Sequence, residues 1–78
     1  MAPNSQGITR FEPIRRGGYV AEILASSWRD GAIFHYVVQR QDSKEILHFG
    51  QELSEQRARE IVDEILTELN RKASSQSA

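Results

Sequence analysis

The sequence predicts an α+β fold, a four-stranded antiparallel β-meander with one C-terminal α-helix packed on one sheet face (ββββα). Three observations predict it. Turn residues at Gly17-Gly18, Asp30-Gly31 and Gln41 to Lys44 separate short apolar segments. After the fourth segment the apolar period lengthens to 3.6 residues, with Ala58, Ile61, Val62, Ile65, Leu66 and Leu69 on one stripe. The chain has 78 residues, which allows one small domain.

The first strand carries Phe11 and Ile14, which both belong inside yet stand three positions apart, on opposite faces of a regular strand. A bulge at Pro13 would turn both inward, and proline is tolerated at bulges and edges because it has no N–H to lose from a ladder. This strand is therefore expected at an edge, where Arg10, Arg15 and Arg16 discourage open-ended pairing. Gly17-Gly18 supplies positive φ for a tight hairpin, and Asp30-Gly31 between Tyr19–Trp28 and Ala32–Arg40 is a strong hairpin signal. In the third turn Asp42 and Ser43 can hydrogen-bond their own backbone. Ser54 is placed to cap the helix, with Leu53 and Ala58 as a staple, Glu55 in the first turn and Arg71 and Lys72 in the last. Residues 1–7 and 73–78, poor in large apolar side chains, read as disordered tails around a single domain over 8–72.

Two-residue turns at Asp30-Gly31 and Asp42-Ser43 fix the register. They pair Trp28 with Ile33, Ala25 with Tyr36, Ile23 with Val38, Arg40 with Glu45, Val38 with Leu47 and Tyr36 with Phe49. One face then holds Ala21, Ile23, Ala25, Phe34, Tyr36, Val38, Leu47 and Phe49 and beds the helix. The other holds Val20, Glu22, Leu24, Ser26, Trp28, Ile33, His35, Val37, Gln39, Ile46 and His48. Its mixture of apolar and polar groups is the pattern of a contact surface. The expected protein interface is Leu24, Trp28, Ile33, His35, Val37, Ile46 and His48.

The chemistry-bearing residues are sparse. No cysteine is present, which removes disulfides and thiolate sites and is compatible with a cytoplasmic location. No segment has the length of a membrane span, and the N-terminus lacks signal-peptide character. His35 and His48 lie diagonally on the open face with no third ligand at hand, so no metal site is expected. Glu60, Glu64 and Glu68 form a solvated helix row with no dry cleft to raise a carboxyl pKa. Gly17-Gly18 after two arginines lacks the spacing of a phosphate loop. No catalytic residue, cofactor or small-molecule substrate is expected, and the chain reads as non-enzymatic.

Two binding readings follow. The first is a small association module that contacts a protein partner or itself, as a homodimer, through the open sheet face. The alternative is a single-stranded nucleic-acid-binding protein using Arg10, Arg15, Arg16, Tyr19, Trp28, Arg29 and Arg40. Net charge is −1, divided as +2 over residues 1–44 and −3 over 45–78. In element order alone, four strands then a helix, the chain is similar to the protomers of transcriptional positive-cofactor and Whirly-type single-strand binders. That resemblance implies dimerisation and DNA binding across the sheet, with no shared motif to place particular residues.

Overall fold

Five strands and one helix form in chain order in the computed structural model, which describes residues 7–76. They are β1 (Gly7–Arg10), β2 (Ile14–Arg16), β3 (Tyr19–Trp28), β4 (Gly31–Arg40), β5 (Ile46–Glu52) and α1 (Glu55–Gln76). The sheet is antiparallel in the order β1-β3-β4-β5, with β2 also paired to β3, and α1 packs on one face. This is the α+β arrangement the sequence predicts, with its first strand divided in two. The tail residues 1–6 and 77–78 lie outside the described residues. Helix α1 continues to Gln76, past the Lys72 end expected from the stripe, so Arg71 and Lys72 stand inside it rather than in its last turn.

The division of the first strand follows from Phe11 and Ile14. Arg10 faces Leu24 whereas Ile14 faces Ala21, so the register slips by one residue across Phe11–Pro13. Both apolar side chains consequently pack on the helix side. Phe11 keeps a backbone bond to Ile23 O at 3.1 Å, while Pro13, with no N–H, costs the ladder nothing.

At the first hairpin Gly17 alone takes positive φ, at 63°, with Gly18 in the ordinary region, a pattern suited to a type II′ turn. A Cβ at Gly17 would collide with the Asn70 side chain, whose amide donates to Arg16 O and Leu66 O. Helix and hairpin are thereby clasped at this corner.

The second turn is Arg29-Asp30 rather than Asp30-Gly31: Trp28 faces Gly31, Ser26 faces Ile33, Ile23 faces Tyr36 and Ala21 faces Val38. Every expected pair between these strands slides by two positions. Because side chains alternate with period two, the slide leaves each residue on its expected face.

The third connection changes more. Arg40 and Glu45 pair as expected, by Arg40 N to Glu45 O at 2.9 Å and Arg40 Nε to Glu45 Oε1 at 3.1 Å. Lys44, at φ 61°, closes the loop with a bond to Arg40 O. Beyond it the ladder jumps from Gln39↔Ile46 to Val38↔His48, leaving Leu47 as an extra residue. This bulge turns the rest of β5 over. Phe49 comes opposite Val37 on the open face, and His48 comes opposite Val38 on the helix side, each the reverse of its expected place. The physical reason lies at Gly50, opposite Tyr36, where an added Cβ would stand 2.7 Å from Tyr36 Cζ. Tyr36 leaves room there for a glycine and none for Phe49.

The core is the layer between sheet and helix. Ala21, Ile23 and Val38 meet Ala58, Val62 and Leu66, with Phe11, Ile14, Tyr19, Phe34, Tyr36, Ile65 and Leu69 around them. Alanines at 21 and 58 let the helix approach closely, at the expense of apolar bulk. The Ser54 cap forms, its Oγ accepting from Arg57 N at 3.1 Å. The expected staple does not: Leu53 is 81% exposed. No described helix is long and apolar enough to cross a membrane.

Candidate functional site: the open sheet face

The face opposite α1 is left uncovered by the described residues. The ladder registers set its rows: Ile8, Ser26 and Ile33; Arg10, Leu24, His35 and Gln51; Glu22, Val37 and Phe49; Arg15, Val20, Gln39 and Ile46. Leu24, Val37, Phe49 and Ile46 form an apolar diagonal across these rows, within the reach of diagonal neighbours on a sheet. Three side chains stand well out of the surface, with Phe49 76%, Ile8 71% and Ile46 56% exposed. Trp28 marks the far end, beside the turn.

Two shallow hollows shape the face. Arg10, Pro13, Glu22 and Leu24 line one, and Ile46, Phe49 and Gln51 line the other. His35 and Val37 belong to both and form the ridge between them.

Of the seven residues expected at a protein interface, Leu24, Trp28, Ile33, His35, Val37 and Ile46 share this face. His48 does not; it lies under the sheet in a groove with Glu64, Ile65, Glu68, Leu69 and Lys72 of α1. The two histidines are thus on opposite faces and their diagonal pairing is dissolved. Among the described residues no three metal-ligating side chains cluster. Sequence reasoning missed Phe49, and the signal that could have found it was Gly50, a lone glycine inside a strand pattern.

The basic and aromatic residues of the alternative reading are dispersed. Arg16 is bound to Asp63 of the helix at 2.7 Å, and Arg40 is held by Glu45 and lies 5.9 Å from the Tyr19 ring centroid. Trp28 and Arg29 sit at the opposite end of β3 from Tyr19, about 30 Å away at strand rise. Of the arginines in β1 to β4, Arg10 and Arg15 project on the open face, along its β1–β2 edge.

Three further ion pairs lie on the helix surface. Arg59 joins Glu55 at 2.8 Å and stacks 5.2 Å from the Phe11 centroid, Arg57 joins Glu60 at 3.2 Å, and Arg71 joins Glu68. These exposed pairs are each worth at most about 1 kcal/mol. No protein-family model, curated protein or solved structure matches the chain.

Proposed function

We propose that this chain is a non-enzymatic self-association module in which the open faces of two copies stack on one another. The observation that carries the reading is the uncovered diagonal of Leu24, Val37, Phe49 and Ile46 on a protein whose own core is thin: three of its seven buried apolar residues are alanines. Burying a second apolar layer supplies what the first lacks.

Shape supports a second copy as the occupant. Phe49 is a projecting knob, and the hollow at Arg10, Pro13 and Leu24 lies across the Val37 ridge from it. A two-fold axis along that ridge sets each Phe49 over the hollow of the other copy, as an isologous interface requires. Size is adequate: four strands at sheet spacing give about 500 Å² per copy, or about 1,000 Å² for the pair, the lower bound of specific interfaces. A cytoplasmic location is part of this proposal and is compatible with a chain that has no cysteine.

Sedimentation equilibrium tests the reading. Val37→Asp puts a carboxylate on the ridge, and its expected effect is to lower the solution mass while leaving the far-UV circular dichroism intact. An unchanged mass sinks the face contact. A different protein held on this face would leave the pure chain monomeric, and a nucleic-acid binder would retain a single-stranded oligonucleotide at low salt and release it steeply as salt rises.

A further inference from the structure

From the geometry of the sheet edge we infer that the outer edge of β5 pairs antiparallel with β5 of a second copy, about Gly50, to make one continuous sheet. The contact is separate from the face contact and does not rest on it.

The two edges of the sheet differ. The β1–β2 edge is broken at Phe11–Pro13 and carries Arg10, Arg15 and Arg16, devices that discourage strand addition. Strand β5, from Ile46 to Glu52, contains no proline, lysine or arginine. Its bulge is confined to its beginning, at Leu47, and the stretch from His48 to Glu52 is regular.

Hydrogen-bond direction along that stretch follows from the ladder. Arg40 N bonds to Glu45 O, so Arg40 directs its backbone groups toward β5, and by alternation so do Val38, Tyr36 and Phe34. Their partners His48, Gly50 and Glu52 therefore spend their N–H and C=O on β4. Phe49 and Gln51 direct theirs outward, with no neighbouring strand among the described residues.

One register uses this edge fully. With the two-fold axis at Gly50, Phe49 of each copy exchanges both backbone bonds with Gln51 of the other, engaging all the outward groups. Centring on Phe49 would draw in the bulged Leu47, and centring on Gln51 would draw in Leu53 beyond the strand end. The Gly50 register also sets His48 opposite Glu52 of the second copy, twice. Both side chains are on the helix side of the sheet, and neither makes an ion pair or side-chain hydrogen bond among the described residues. Opposite residues of complementary character at about 5 Å between Cβ atoms are the favourable arrangement. Beneath the edge lies the groove of His48, Glu64, Ile65, Glu68, Leu69 and Lys72, and the two-fold brings it toward its twin. Because the axis is normal to the sheet, both open faces point the same way.

Substitutions at the edge separate this contact from the face. Gln51→Pro removes an outward N–H that no described strand uses, so the fold is kept while the edge is blocked. The expected result by sedimentation equilibrium is that Gln51→Pro takes the Val37→Asp chain from dimer to monomer, and lowers the mass of the wild-type chain from an open-ended assembly to the face dimer. A charge exchange tests the register: His48→Glu is expected to weaken edge pairing about tenfold by facing Glu52, and adding Glu52→Lys restores it. Equal masses with and without Gln51→Pro, in chains whose circular dichroism matches, overturn the edge contact whatever Val37→Asp does. A wild-type dimer that keeps its mass with Gln51→Pro and dissolves with Val37→Asp leaves the face reading standing and this one refuted.

Discussion

Gly50 and Phe49 exchange the places a regular strand would give them, and the energetic consequences separate cleanly. Tyr36 is half-buried against the core cluster and cannot withdraw freely, so Gly50→Ala forces a shift of ring or strand and is expected to cost about 1–3 kcal/mol. Phe49→Ser removes a ring that is mostly in water, and is expected to change monomer stability by less than about 0.5 kcal/mol. Urea unfolding of both in the Val37→Asp, Gln51→Pro background, where the face and edge contacts are both absent, reads the difference. At this scale the sequence was legible for Phe11 and Ile14, whose clash with strand alternation exposed the break at Pro13. It was not legible at Leu47, because a bulge after a loop without glycine leaves no residue of special conformation except Lys44, a type that rarely announces positive φ.

The helix was the most legible element. Its stripe of Ala58, Val62 and Leu66 is buried as the 3.6 period requires, and Ser54 caps it. Ser54→Ala leaves the Arg57 N–H without its acceptor and is expected to destabilise by about 1 kcal/mol, measured by thermal or urea unfolding. The helix end was less legible, since Ala73 to Gln76 add no large apolar residue to the stripe. Among the hairpins, Asp30-Gly31 marked the right place but the turn formed one residue earlier, with Gly31 taken into β4. Period two made that error harmless for the faces, whereas the single extra residue at Leu47 reversed one.

Across the whole molecule the two sides of the sheet divide the work. One is sealed by α1, and the other presents an apolar diagonal between polar neighbours. The division was legible from the alternation in β3 and β4; the one face residue that most alters its shape, Phe49, was not. Charge is distributed against a nucleic-acid track, because Arg16 and Arg40 are engaged with carboxylates and Arg29 stands alone at a distant turn. A single-stranded oligonucleotide is therefore expected not to be retained at about 150 mM salt, by fluorescence anisotropy, and any weak binding at low salt is expected to fall on Arg10→Gln with Arg15→Gln.

The interruption at Phe11–Pro13 has a dynamic consequence. Every residue of β1 is exposed, so that segment is held to β3 by its ladder and little else, while β2 on the far side of the gap is pinned through Ile14 and the Arg16–Asp63 bridge. The first four described residues can lift away without disturbing the hydrophobic centre, as a latch separate from the door it closes. Deuterium uptake at Thr9 is expected to run ahead of that at Arg16 and to track local rather than global opening.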